Sequence, residues 1–275
     1  MLHCAAVTKS AEDDEWQVQL ALESRFENIE LVQLVLEDSL RHAECDKDTR
    51  YWVGLAVREA VANAIKHGNR QDPDKKVAVS LSFVKDEVVV HVVDEGDGFD
   101  PECVGDPLEK ENLLKPNGRG ICYMSKFMDD IRYYFDPQGG TRLTLRKCFS
   151  RSAGGSEEIE EENVMKIGIR QKEGVTILDP KGKITIGSGD VALRDSVLEA
   201  LDSGVTKILI NLLGVSTIDS SGIGELVAAY TTVTNRSGQL KLSNLSPKVT
   251  DILQITQLAT VFQVEETEEA ALGAF

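Results

Sequence analysis

The sequence predicts an α/β chain in two domains, each a β-sheet covered by helices. Three observations predict it. Short runs alternating apolar and polar residues recur along the 275 residues. Between them lie longer stretches with apolar residues three and four apart, the helical period. The stretch Ser150 to Asn163, SRSAGGSEEIEEEN, breaks both patterns with small residues and then an acidic run. Such a stretch buries no apolar surface and reads as a flexible linker. The expected division is 1–149 for the first domain, 150–163 for the linker and 164–275 for the second. Both domains then have ordinary size.

In the first domain, Trp16 to Leu22 alternates as a strand. Ser24 and Glu27 have capping-box spacing, which predicts a helix from there to about Leu40. A second helix is expected from about Asp48 to His67. Val77, Val79, Leu81 and Phe83 alternate as a strand, and Glu87 to Val93 forms another. A loop from Gly96 to Gly118 precedes a helix over about Gly120 to Met128. Ile131 to Phe135 and Thr141 to Lys147 pair as a hairpin across Asp136-Pro137-Gln138-Gly139-Gly140. The expectation is an α+β sandwich, a mixed sheet with helices on one face.

In the second domain, Lys166 to Arg170 and Val175 to Asp179 form a hairpin. Ser188 caps a helix to about Asp202, stopped by Gly204. Lys207 to Leu212 is a buried strand. Asp219 caps a helix ending near Gly238, and Gln239 to Ser243 is the next strand. Ser246-Pro247 opens a helix by N-cap and N1 preference. Val261 to Val264 is a short strand, and the acidic end forms a last helix. Strand–helix alternation implies a partly parallel sheet covered by helices.

The formal charge is −16, and both halves are acidic. Neither offers the basic footprint that nucleic acid or an anionic membrane needs. The five cysteines are odd in number and widely spaced without a CxxC, which argues against a structural zinc site and a disulfide framework. A reducing, cytoplasmic setting follows. No stretch approaches the 18 apolar residues of a membrane span, and Met1 to Val7 lacks the pattern of a signal peptide.

Three motifs carry the chemistry of the first half. Glu59 and Asn63 are four apart on the second helix and share a face. A carboxylate and an amide oxygen there suit a magnesium–phosphate site. Glu59 is placed to accept a proton from an attacking hydroxyl. Taken alone, the pair also describes an ordinary solvated face. Asp94-Glu95-Gly96-Asp97-Gly98 ends a strand. Its glycines let backbone pass close to a ligand, and Asp94 can accept from an adenine amino group. The same pattern occurs in plain turns. Asn117-Gly118-Arg119-Gly120 leads into a helix, whose free N–H groups favour phosphate. The long loop from Pro101 to Pro116 suits a lid.

Together, REAVANAIKHGN (58–69), DEGDGFD (94–100) and NGRGICYMSKFMDD (117–130) resemble the bacterial anti-sigma-factor serine kinases. These are Bergerat-fold ATPases, with gyrase and the sensor histidine kinases. The resemblance covers roughly residues 15–148. It implies ATP and Mg2+ as cofactors, Glu59 as catalytic base and Asn63 as magnesium ligand. It implies Asp94 for adenine, and Gly96, Gly98, Gly118 and Gly120 for the phosphate and lid regions, with Asn117 and Arg119 in the same ATP-binding segment. It further implies a sigma factor or another anti-sigma or STAS protein as partner, and a homodimer through the kinase domain. No Walker loop and no phosphoacceptor-helix motif of a sensor kinase is present, which favours the serine-kinase branch. In the family, an arginine on the first helix often helps hold the sigma factor. Here that turn reads Glu27-Asn28-Ile29-Glu30-Leu31-Val32, with Arg25 as the nearby basic candidate.

In the second half, KILINLLGVSTIDSSGIGELVAAY (207–230) resembles the STAS domain of anti-sigma-factor antagonists, over about 165–272. In that family the serine after the aspartate accepts phosphate, which here is Ser220, capped by Asp219. A phosphate there gains from the helix N-terminus and adds about −1.5 to −2 charge to a contact surface. Ser221 and Gly222 read as structural. The bare alternative is that Asp219-Ser220 only caps a helix. A linker of 14 residues spans roughly 20 Å r.m.s. and at most about 45–50 Å, giving an effective concentration of order millimolar if the sites meet. Three functions fit: a kinase that regulates transcription by partner switching, an ATP-binding regulatory module without transfer, and an adaptor that recruits STAS or kinase partners.

Overall fold

The computed structural model describes residues 2–9, 15–97, 119–137, 139–151 and 165–275. Gly98, Asn117, Gly118, the 101–116 loop and the linker from 152 onward lie outside the described residues. The chain divides into two compact units, an N-terminal and a C-terminal one.

The N-terminal unit runs β1 (Leu2–Lys9), β2 (Glu15–Glu23), α1 (Asn28–His42), α2 (Lys47–Asn63), a π-helical turn (Ala64–Gly68), β3 (Lys76–Val84), β4 (Glu87–Val93), α3 (Arg119–Phe127), β5 (Asp130–Phe135) and β6 (Thr141–Cys148). Its sheet has the order β1-β2-β3-β4-β6-β5. Each pairing is antiparallel, so the expected mixed sheet is corrected to an antiparallel one. The alternation of β3 buries Val77, Val79, Leu81 and Phe83 on one face, against helices that bury Ile29, Val32 and Leu36 from α1 and Val53, Ala56, Val57 and Ala60 from α2. Burial of each large aliphatic side chain is worth about 1.5–3 kcal/mol.

Two other expectations fail locally. The Ser24–Glu27 capping box does not form: α1 begins at Asn28, and Glu27 makes no side-chain cap bond. The Ser24 amide instead donates to the Lys75 carbonyl, 3.0 Å away, and Arg25 to Asn28 close a turn first. The second helix does not run evenly to His67. It widens after Asn63 into the π-helical turn, where the Asn69 amide donates to the Ala64 carbonyl at 2.8 Å. Strand β1 was not foreseen.

The C-terminal unit runs β7 (Lys166–Lys172), β8 (Val175–Ile184), α4 (Ser188–Asp202), β9 (Lys207–Asn211), β10 (Gly214–Ile218), α5 (Ser220–Asn235), β11 (Gln239–Ser243), α6 (Pro247–Ile255), β12 (Gln263–Glu265) and α7 (Glu268–Gly273). The order β10-β8-β9-β11-β12 is parallel throughout, and β7 joins β8 antiparallel. Ile208, Leu209 and Ile210 are buried in succession, as in a strand covered on both faces. Ser246 caps α6 by accepting from the Val249 amide, with Pro247 at the first position. Ser188 is not the cap of α4. It is the first helical residue, and Asp190 reaches back to accept from the Gly187 amide at 3.0 Å.

Candidate nucleotide site and acceptor serine

The site in the N-terminal unit grows out of the end of α2. Glu59 is 3% exposed, within the buried stretch of the helix. Asn63 lies one turn on, half-buried, at the last helical residue. The first turn of α3 comes directly against this pair. A Cβ built on Gly120 would stand 2.5 Å from Glu59 Oε2 and 3.5 Å from Asn63 Nδ2. A side chain at 120 would force the Glu59 carboxylate to move. The structure therefore brings Glu59, Asn63 and Gly120 together across 61 residues of sequence. Arg119 is the first residue of α3.

Asp94 closes the other side. Its Oδ1 accepts the Gly96 amide at 2.9 Å and the Thr141 amide at 3.1 Å. Glycines pack around it. A Cβ on Gly68 would fall 2.5 Å from Asp94 Oδ2, and one on Gly96 would fall 2.2 Å from the Gly68 carbonyl oxygen. Burial pushes the Asp94 carboxyl above the usual carboxylate range, against the two amides that favour its charge. Asn63 and Asp94 both line one small pocket, whose apolar walls include Ala60, Val92 and Leu143. Its lining has the chemistry of a small-ligand site: apolar walls, few polar groups. Tyr133 stands on the same wall. Burial drives its hydroxyl up to about 12, so it stays protonated.

Reasoning from sequence passed over Gly68, Asn69, Thr141 and Tyr133. The signals were present: Gly68-Asn69 follows the helix directly, and Gly139-Gly140-Thr141 was read only as a hairpin turn. A glycine was needed at 140, where φ is +97° and a Cβ would meet the Asp94 carbonyl at 2.5 Å. Arg25 stands exposed and pairs with Glu23 at 3.1 Å. Among the described residues, no group of three or more His, Cys, Asp or Glu side chains is placed to hold a metal ion. Glu59 and Asn63 fit a magnesium that takes most of its oxygens from phosphates and water.

In the C-terminal unit, Ser220 is the first residue of α5 and is half-buried. Asp219, 2% exposed, uses both oxygens. Oδ1 accepts the Gly222 amide at 2.9 Å, and Oδ2 accepts the Ile186 amide at 2.9 Å. One carboxylate thus caps α5 and ties the loop before α4 to it. Ser221 donates to Asp190 Oδ2 at 2.8 Å. Gly222 admits β8 closely, since a Cβ there would lie 2.2 Å from the Ile184 carbonyl oxygen. Leu213, 77% exposed, is in the turn before β10.

Residues 9–147 match the histidine kinase-like ATPase domain family, and residues 166–271 match the STAS domain. An anti-sigma F factor of Clostridium perfringens (strain SM101 / Type A) is 36% identical over 97 residues, 34% of this chain and 69% of that protein. An anti-sigma F factor of Oceanobacillus iheyensis is 28% identical over 138 residues, 50% of this chain and 94% of that protein. The serine-protein kinase RsbW of Listeria monocytogenes is 27% identical over 157 residues, 55% of this chain and 95% of that protein. No helix among the described residues is long and apolar enough to cross a membrane. The chain belongs to the histidine kinase-like ATPase family over residues 9–147 and carries a STAS domain over residues 166–271.

Proposed function

We propose that this chain is an ATP-dependent protein serine kinase of the anti-sigma type, tethered to an anti-anti-sigma STAS domain, which controls transcription by partner switching through Ser220. The observation that carries the reading is the convergence of Asn63 and Asp94 on one pocket, with Glu59 and Gly120 packed beside Asn63. Asp94 takes the adenine amino group. Gly96, Gly98, Gly118 and Gly120, with Asn117 and Arg119, form the phosphate and lid segments. Asn63 and the phosphates would hold Mg2+, which would neutralise charge on the transferring phosphoryl group.

In the transfer, Ser220 Oγ attacks the γ-phosphorus. A bond forms there, the bond to the β–γ bridging oxygen breaks, and ADP leaves. The hydroxyl proton goes to Glu59, which is held within the protein by α2 and α3. The product adds negative charge at the N-terminus of α5, where the backbone favours it, and changes the charge of the surface a partner would contact. Ser220 belongs to the same chain or to the second protomer of a homodimer formed through the kinase domain. The partners are a sigma factor or other anti-sigma and STAS proteins, in the cytoplasm.

The test is a transfer assay with Mg-ATP on wild type and Glu59→Gln. The variant is expected to bind ATP and to lose transfer; retained transfer removes Glu59 as base. ATP binding with no transfer by wild type would assign an ATP-binding adaptor instead. A sigma-factor pull-down that stays empty with and without ATP counts against sigma capture.

A further inference from the structure

We propose that Asn69 is a positioning residue for base recognition, holding the loop after β4 so that Asp94 faces the adenine. The proposal rests on the nucleotide reading above and deepens it. Asp94 is fixed from one side by the amides of Gly96 and Thr141. What fixes its loop from the other side is Asn69. Its Oδ1 accepts the Glu95 amide at 2.8 Å, and its Nδ2 donates to the Lys76 carbonyl at 2.9 Å. The Lys76 amide donates in turn to Glu95 Oε2 at 2.7 Å. These three residues close a ring that joins the end of the π-helical turn, the start of β3 and the loop after β4.

The two bonds decide the amide orientation, since only Oδ1 can accept and only Nδ2 can donate. Of the three residues, Glu95 and Lys76 are exposed while Asn69 is 1% exposed. Water can replace a bond lost at Glu95 or Lys76 but not one lost at Asn69. The backbone adds a further reason for the ring. Arg70 and Gln71 follow Asn69 with φ of +55° and +60°, two non-glycine residues in succession in the left-handed region. Such a turn persists only where its surroundings hold it. Asn69 holds it with its backbone as well: its amide donates to Ala64 and its carbonyl accepts from the Asp72 amide at 3.1 Å. The turn in turn sets Gly68, whose Cα faces the Asp94 carboxylate. Loss of the ring releases both walls of the Asp94 carboxylate at once.

The experiment is competition titration of Mg-ATP and Mg-GTP against a fluorescent ATP analogue, below the melting temperature of every variant. Asn69→Ala is expected to raise the Kd for ATP about tenfold, which is ~1.4 kcal/mol, and to narrow the preference for ATP over GTP by a similar factor. A purely structural role would lower the melting temperature and leave that preference at its wild-type value among folded molecules. That result overturns the proposal. Asn69→Asp keeps an acceptor for the Glu95 amide but sets an oxygen against the Lys76 carbonyl. It is expected to fall between wild type and Asn69→Ala, and it carries the test alone if Asn69→Ala does not fold. Wild-type selectivity in Asn69→Asp then overturns the proposal. A wild-type chain that binds neither nucleotide overturns the nucleotide reading itself, and this proposal with it.

Discussion

Burial and the proposed adenine contact pull Asp94 in opposite directions. Burial raises its carboxyl above the ordinary value of 3.8, so ionising it costs folding free energy. The stability of the acid form is fully present below the ordinary value and is lost as pH rises through the raised one. At neutral pH the charge is therefore held at the expense of the fold. Asp94→Asn keeps an oxygen for the Gly96 and Thr141 amides and removes the charge. It is expected to melt higher than wild type at neutral pH, with the gap closing below about pH 4, and to lose ATP affinity. Melting curves at both pH values and an ATP titration check both halves; an unchanged Kd would remove Asp94 from base recognition. The aspartate was legible in the sequence because its loop is local. Asn69 was not, because its partners Lys76 and Glu95 come from other segments and meet only in the fold. The contact of Gly120 with Glu59 was likewise invisible at a separation of 61 residues.

At the scale of elements, helix starts decide what the serine can do. Asp219 serves two amides from a buried position. Asp219→Ala leaves both without a partner and is expected to cost about 2–3 kcal/mol by denaturant titration. A loss confined to a few tenths would mean that water replaces the cap. The last helix is fastened by charge and packing. Arg170 pairs with Asp179 at 2.6 Å and with Glu268 of α7. The Arg170 guanidinium holds both carboxyls below their ordinary range. Their contribution is present above the ordinary carboxylate range and is lost as pH falls through the lowered values. Ala271 and Leu272 bury against Val175, Ile177 and Leu209. Arg170→Ala is expected to reduce hydrogen-exchange protection of α7 at neutral pH, as acid does in wild type. Unchanged protection would show that the apolar contacts alone hold the helix. Caps with a local partner, such as Asp219 and Ser246, were readable because the partner is three residues on. The Ser24 box misled because its spacing was right while the Ser24 backbone was already engaged with Lys75. The antiparallel sense of the first sheet was not readable, since strand alternation is the same in either sense.

At the scale of the whole molecule, the account joins an ATP site and an acceptor serine in one chain. Residues 9–147 and 166–271 match two domain families, and each unit has its own sheet and core. On the proposed reading, tethering fixes the ratio of acceptor to kinase at one to one, and raises the acceptor's effective concentration if the two sites can meet. If transfer is within a chain, its rate per molecule does not change with protein concentration; transfer between chains rises with it. The most direct measurement is phosphosite mapping by mass spectrometry of the full chain after incubation with Mg-ATP. The account predicts a single phosphate on Ser220, absent in Glu59→Gln. A chain that binds ATP and carries no phosphate on Ser220, or carries it equally in Glu59→Gln, contradicts it.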